Sequence, residues 1–281
     1  MKIATWNVNS IRTRLEQVTH WLTENPVHVL CLQETKVVDG DFPRSPFEEM
    51  GYQCYIAGQK SYNGVALISR SPLTSVSIGF APILNPDLHN NLDNNIGDNS
   101  TGDLDDQKRV ISGLVADVRI VNLYVPNGSE VGSEKYQYKL KWLACLRDYL
   151  KTLLAVNEPA EAAICICGDF NIALDDRDIY DPKGKENHIM ASESERLALR
   201  SILDLGFQDA FRKFTTEGGH FTWWDYRTGG FQRNRGWRID HLYLTTNLYD
   251  RALACTIDKA PRQLTKPSDH TPVILELNPP C

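Results

Sequence analysis

No apolar run in this sequence is long enough to cross a bilayer, and the opening Met-Lys-Ile-Ala-Thr-Trp-Asn lacks the apolar core of a secretion signal. Cysteine is scarce and odd in number, seven in 281 residues, and none has the spacing of a zinc site. Cys31, Cys54, Cys165 and Cys167 fall inside strand-like apolar stretches, so they read as small buried hydrophobes in a reducing compartment, the cytoplasm. Positive charge is missing from one region: between Arg70 and Lys108 there is no Lys or Arg, while Asp87, Asp93, Asp98, Asp103, Asp105 and Asp106 all lie there. Those six acids account for the whole formal charge of −6, so the total argues only weakly against a polyanionic partner and local patches matter more. No fixed-period repeat is present, nor any linker longer than that acidic stretch. The expectation is one domain over residues 1–281, with an acidic loop insertion at about 85–107 that carries too few apolar groups to form a packed face.

What is present is a series of short apolar strands that stop at polar residues. Lys2 to Val8 reads as a strand, and Ile11, Leu15, Val18 and Leu22 form a helical stripe with Ser10 as its N-cap. Pro26 closes that helix before a second strand, Val27 to Leu32, and such a unit favours parallel pairing. Gln53 to Ala57, Gly64 to Ser69, Arg109 to Val118, Ile120 to Val125, Ile164 to Cys167, Arg238 to Tyr243 and Pro272 to Leu277 read as further strands. Trp142, Leu146, Tyr149 and Leu153 mark a long helix, and Ser192 with Glu195 forms a capping box on another that stops at Gly206. The economical arrangement is α/β, with two sheets inside and helices outside.

Most of these strands end in a group with no packing role: Asn7, Glu34, Tyr124, Asp169 with Asn171, and Asp240, while Asp269-His270 opens the last one. Each alone reads as readily as a turn former or a cap; six together point to one site at the strand ends. Period two would set Asp169 and Asn171 on one side if the extended chain persisted past Gly168. Two carboxylates ~4 Å apart repel by about 4 kcal/mol at an effective dielectric of about 20, so Glu34, Asp169, Asp240 and Asp269 share a pocket only if they protonate or a cation joins them. Oxygen ligands without cysteine suit Mg²⁺ or Mn²⁺, with Glu34 the first candidate. Asp240, from another strand, is the expected partner of His270, since an Asp–His pair stabilises the imidazolium. Asp169, placed by Asn171, is the expected general base.

The stretch Phe221-Thr222-Trp223-Trp224-Asp225-Tyr226-Arg227, followed by Arg233-Asn234-Arg235-Gly236-Trp237-Arg238, carries four arginines and no acid between Tyr226 and Ile239. Arginine grips phosphates, and interleaved aromatics stack on bases or line a slot for a sugar. Arg12 and Arg14 would extend the positive surface.

With these pieces assembled, the chain resembles the exonuclease III family of apurinic/apyrimidinic (AP) endonucleases, within the endonuclease/exonuclease/phosphatase superfamily. The resemblance rests on Trp6-Asn7-Val8-Asn9, Leu32-Gln33-Glu34-Thr35-Lys36, Gly64-Val65-Ala66-Leu67, Gly168-Asp169-Phe170-Asn171, Trp223-Trp224-Asp225-Tyr226-Arg227, Asn234-Arg235-Gly236-Trp237-Arg238-Ile239-Asp240 and Lys266-Pro267-Ser268-Asp269-His270. It implies a four-layer α/β sandwich, two mixed β-sheets packed together and flanked by helices. It implies a Mg²⁺ ion, with Mn²⁺ accepted, at Glu34 in an environment that includes Asn7, Asp169, Asn171, Asp269 and His270. A water activated by Asp169 would attack the phosphodiester 5′ to an abasic sugar in duplex DNA. The 3′→5′ exonuclease and 3′-phosphatase activities would accompany that incision.

Tyr124 and Asn171 would contact the phosphate, and Asp240 would orient His270. Trp223, Trp237 and Ile239 would line the slot for the extruded deoxyribose, whose missing base lowers the extrusion cost. Arg109 matches a position next to the DNA, and the implied partner of a monomeric enzyme is duplex DNA, abasic or 3′-blocked, with no membrane. Two departures stand out: the longer acidic loop, and Asn127 where some members carry Gln. Two other readings stay open, a phosphodiesterase acting on phosphoinositides or phospholipids and a DNA-binding protein without catalysis.

Overall fold

The computed structural model describes residues 1–84, 102–155 and 162–278. Strands β1 (Lys2–Asn7), β2 (Val29–Gln33), β3 (Gln53–Ala57), β4 (Val65–Ser69), β5 (Thr74–Ile78), β6 (Val110–Val115), β7 (Val118–Tyr124), β8 (Ile164–Asp169), β9 (Phe207–Asp209), β10 (Asp240–Thr245), β11 (Ala252–Ile257) and β12 (Val273–Leu277) follow in chain order. They form two six-stranded sheets, ordered β11-β12-β1-β2-β4-β3 and β5-β6-β7-β8-β10-β9. Both are mixed: β1 pairs parallel to β2 and antiparallel to β12, while β8 pairs parallel to β7 and antiparallel to β10.

Side-chain alternation builds the layers. Ile3, Val29, Cys31 and Leu67 from the first sheet meet Ile111, Ile120, Cys165, Cys167 and Leu242 from the second in one buried cluster. The outer face of the first sheet, with Ala4, Trp6, Leu30 and Leu32, packs against Ile11, Val18, Trp21 and Leu22 of the helix Ile11–Glu24. The outer face of the second packs Val121, Leu123, Ile164 and Ile166 against the helices Glu134–Ala155 and Glu193–Leu203. This is the four-layer sandwich that the resemblance implied.

Period two along the inner faces also fixes the site. Asn7 continues Ile3 and Thr5, Tyr124 continues Ile120 and Asn122, and Asp169 continues Cys165 and Cys167. Each therefore lies on the strand face that packs between the sheets, where that interior runs out. Just below them Gln33 Nε2 donates to Asn122 Oδ1 at 2.7 Å, and Asn122 Nδ2 donates to the carbonyls of Leu32 and Ala66. That buried polar clasp ties the two sheets together next to the ends that carry the chemistry.

Several expected boundaries differ. The strand expected from Arg109 to Val118 is β6 and the start of β7, a hairpin turning at Ala116, which takes φ 51°. β5, β9 and β11 were not expected: β5 is a largely exposed strand at its sheet's edge, and β9 is only three residues long. Ser10 makes no side-chain cap, because its backbone takes φ 92°. The first helical N–H groups instead find the carbonyls of Glu34 and Thr35, from Ser10 N at 2.7 Å and Ile11 N at 3.2 Å. The helix start is thus sewn to the turn that carries Glu34. Of the acidic insertion, residues 85–101 lie outside the described residues; Asp105 accepts backbone N–H bonds from Phe80 and Ala81.

Arg238 corrects the expectation that this arginine faces phosphate. It is 1% exposed and bonds Asp178 and Asp209, whose carboxylates reach its Nε and Nη2 at 2.7 Å each. Replacing Arg238 with Met leaves buried carboxylates without this partner, and a loss of about 3–5 kcal/mol is expected, read from the urea midpoint. Burial would raise the Asp209 carboxyl, but the Arg238 charge beside it holds it below the ordinary range. A depressed native value contributes stability above the ordinary carboxylate range and loses it as pH falls through the native one, so acid should destabilise wild type below about pH 4. The Arg238→Met variant should have a shallower acid limb.

Candidate active site

Gly168 delivers Asp169. It takes φ 138°, and a Cβ there would lie 1.9 Å from the Leu123 carbonyl oxygen, so only glycine lets β8 sit this close to β7. Asp169 follows at 1% exposure. Asn171 then takes φ 49°, so it meets Asp169 through a turn and not along an extended chain as expected. Its backbone N–H donates to Asp169 Oδ1 at 2.9 Å and its amide to Asp169 Oδ2 at 3.3 Å. The Asx-type turn and the functional pairing are the same structure.

Asn7 joins the two sheets here. Its Nδ2 donates to Glu34 Oε1 and to Asp169 Oδ2, each at 2.9 Å, so the two oxygens lie no farther apart than twice that length. Lys36 sits at Glu34 Oε2 at 2.7 Å and also donates to Asn9 Oδ1. Burial would raise the Glu34 carboxyl, but the Lys36 ammonium and the Asn7 amide hold it below its ordinary value. Glu34 is thus an anion at neutral pH.

On the far side of Asp169 stands His270. Its Nδ1 donates to Asp240 Oδ2 at 2.9 Å, and its Nε2 faces Asp169 Oδ2 at 3.7 Å. Burial alone would lower the imidazole; Asp240 and Asp169 outweigh it and push it up to about 10. Burial pushes Asp169 up to about 7 against the pull of that imidazolium, with Asp240 adding to the rise. Asp269 accepts from Asn9 Nδ2 at 2.9 Å and from Trp223 Nε1 at 3.0 Å. Thr222 Oγ1 takes the backbone N–H groups of Ile239 and Asp240, and Ser268 Oγ donates to the Asn7 carbonyl at 2.7 Å.

The expected residues therefore meet. The four carboxylates, however, already have resident cations in Lys36 and His270, a third solution beside protonation and a bound metal. Lys36, Asn9, Thr222 and Ser268 were not singled out from the sequence. Lys36 stood in the quoted Gln33-Glu34-Thr35-Lys36, but Glu34 and Lys36 both take positive φ, 51° and 56°, so no periodicity argument could aim them at one another.

Around this centre lie the groups expected to touch DNA. Arg109 is nearly buried, its guanidinium 4.6 Å from the Tyr124 ring centroid and its Nη1 on the Tyr124 carbonyl at 3.1 Å. Asn127 Nδ2 donates to Asn171 Oδ1 at 3.0 Å. Both Arg109 and Asn127 line a cleft of about 470 Å³ beside Tyr124. Trp223 and Trp237 are half-buried and pack with Ile239, Met190 and Ala191 in a small apolar cluster. The ring of the exposed His188 lies 5.2 Å from that of Trp237. Trp224 is core, wholly buried. Arg12 is exposed on the first helix, but Arg14 is a brace: it donates to the carbonyls of Asn9 and Pro267 and to Tyr226 Oη.

The donor set fits a hard divalent cation: carboxylate oxygens at Glu34, Asp169 and Asp269, with no thiolate in the group. Asp169, Asp240 and His270 each place a ligand-type atom within 4.8 Å of the others. The remaining expected ligands are otherwise engaged. Asn7 turns its oxygen to Asn9 N at 3.0 Å, and Asn171 gives its oxygen to Asn127. His270 gives its Nδ1 to Asp240 at 2.9 Å, while its Nε2 faces Asp169 at 3.7 Å.

Comparison with known proteins places this geometry in context. A profile of the Endonuclease/Exonuclease/phosphatase family matches residues 4–270. The exodeoxyribonuclease III of Haemophilus influenzae is 32% identical over 98% of this chain and 99% of its own. A 3′ phosphatase from Neisseria, solved with a product DNA hairpin, is 37% identical with a TM-score of 0.87 over 99% of both chains. An AP endonuclease from Archaeoglobus fulgidus gives the same three values.

Proposed function

This chain belongs to the Endonuclease/Exonuclease/phosphatase family, in its exonuclease III branch, and from that membership we propose that it is a Mg²⁺-dependent DNA repair nuclease. Its main reaction in this reading is hydrolysis of the phosphodiester 5′ to an abasic site in duplex DNA, with 3′→5′ exonuclease and 3′-phosphatase activities beside it. The observation that carries the reading is Asn7 clamping Glu34 and Asp169 together next to a charged His270, with the Trp223, Trp237 and Ile239 cluster adjoining. We read residues 1–281 as one such domain, monomeric and cytoplasmic, with Mn²⁺ accepted.

Glu34, with Asp169 and Asp269 near, would hold a Mg²⁺ ion, which would supply charge neutralisation at a phosphoryl oxygen. The protein's own groups do the rest. Asp169, raised to about 7 and held in place by Asn7 and Asn171, takes the proton of the attacking water. His270 donates Nε2–H to a phosphoryl oxygen and its charge opposes the growing negative one, while Asp240 keeps the ring from turning. Tyr124 and Asn171 contact the phosphate, Arg109 lies alongside the strand, and the slot at Trp223, Trp237 and Ile239 receives the baseless sugar.

A second reading, in which removal of a 3′-terminal phosphate outweighs internal incision, is favoured by His188. Its ring stands against Trp237 where an extruded sugar would enter, whereas a terminal phosphate needs no such entry. The relative solved with a product hairpin is a 3′ phosphatase. One experiment tests both: rates on a duplex with a single abasic analogue and on one with a 3′-phosphate, over a Mg²⁺ titration and in EDTA. Metal-dependent turnover of either DNA is expected, and their ratio chooses between the readings. Inert DNA with release of phosphate from a phosphoinositide would overturn both, and abasic and 3′-phosphate duplexes both bound but neither turned over would establish a non-catalytic homologue.

A further inference from the structure

One buried ion pair takes no part in the chemistry above yet touches both sides of the site. Lys139 and Glu195 are each 0% exposed, and their side chains meet between the helices Glu134–Ala155 and Glu193–Leu203. The Lys139 ammonium has three protons and three acceptors: the Glu195 carboxylate, the Asn171 carbonyl at 2.8 Å and the Asn127 carbonyl at 3.1 Å. Asn127 and Asn171 are the residues whose side-chain amides join on the phosphate side. Glu195 in turn accepts the backbone N–H of Met190 at 3.1 Å and that of Ser192 at 3.0 Å. Met190 and Ala191 belong to the apolar cluster with Ile239, Trp223 and Trp237.

We propose that the Lys139–Glu195 pair is a positioning device that fixes the phosphate-contacting loops against the wall of the sugar slot. The proposal rests on the nuclease reading for what the two sides bind. Gly128 supports the arrangement: at φ 90°, a Cβ there would come 3.0 Å from Ile189 Cδ1 and 3.1 Å from Lys139 Cδ. The loop after β7 therefore lies directly on the lysine stem and on the residue before Met190. Apolar residues of similar volume usually hold two helices as well as a buried ion pair does, or better. Such residues could not bond two carbonyls on one side and two N–H groups on the other. The capping box at Ser192, where Glu195 also receives the serine hydroxyl at 2.6 Å, accounts for Glu195 alone but not for Lys139 or its two carbonyls.

The test replaces both partners with methionine, Lys139→Met with Glu195→Met, so that no buried charge is left unpaired. The expected result is a melting temperature near wild type with kcat on 3′-phosphate and abasic duplexes reduced about 10²-fold, the loss usual for a misplacement of ~1 Å. KM should change less than kcat. Recovery of both melting temperature and kcat in the double variant would overturn the proposal. If the double variant does not fold, Lys139→Met with Glu195→Gln carries the same comparison, since it too leaves no buried charge unpaired and keeps the shape of Glu195. The side-chain amide NMR signals of Asn127 and Asn171 give a readout independent of turnover: they should shift in the variant while those of Asn122 stay fixed. An inert wild-type protein would sink the nuclease reading alone, whereas unmoved Asn127 and Asn171 signals would sink the positioning proposal alone.

Discussion

Asp169→Asn is expected to lower kcat on duplex DNA by about 10²–10⁴-fold, the range typical of a lost general base. The fold should survive, because asparagine fills the same volume and one oxygen can still accept from Asn171 N. The other position becomes an amide facing Asn7 Nδ2, two donors where there had been a donor and an acceptor, so Glu34 should also lose part of its placement. KM is expected to move little, since Asp169 is 1% exposed and offers the substrate little binding surface. Steady-state kinetics on the abasic and 3′-phosphate duplexes check this, and a variant that turns over at the wild-type rate would remove Asp169 from the role of base.

Chelation should cost a comparable factor or more. The charge stabilisation that a divalent ion gives a phosphoryl transition state is worth several kcal/mol, about a thousandfold in rate or beyond. In EDTA the activity should fall to background and return on adding Mg²⁺. Glu34→Gln should raise the Mg²⁺ concentration needed for half-maximal rate, because it removes one anionic donor and leaves Lys36 without its carboxylate. Mn²⁺ binding followed by electron paramagnetic resonance gives the affinity without turnover. Full activity in EDTA, or unchanged Mn²⁺ affinity in Glu34→Gln, would mean that the acidic group is held by Lys36 and His270 alone.

The core strands were legible because their sequence alternates or runs apolar and then stops on a polar residue. Asn7, Tyr124 and Asp169 could be picked out in this way, since period two fixes the face and the end of apolar alternation fixes the depth. The legibility stops where the chain leaves regular geometry. Glu34, Lys36 and Asn171 sit in left-handed turns, which carry no periodic signal, so the Lys36–Glu34 pair was invisible. Arg238 was misread because its carboxylate partners, Asp178 and Asp209, lie 60 and 29 residues away. Lys139 was not singled out for the same reason, its partner Glu195 lying 56 residues away. β5 escaped because an edge strand with exposed Val76 and Ile78 has no buried face to impose a pattern.

In its sheet β1 sits between β2 and β12; the Met1 amine donates to the Leu277 carbonyl at 2.6 Å and the Leu277 N–H donates to the Met1 carbonyl at 2.8 Å. The first strand of this fold thus waits for the last before both its flanks are filled, and contacts so distant along the chain close slowly. Asp269 and His270 emerge just ahead of β12. A growing polypeptide that already contains Glu34, Asp169 and Asp240 still lacks the imidazolium standing between two of those acids. The full set of acids with its imidazolium would then be complete only once this last strand has joined the sheet.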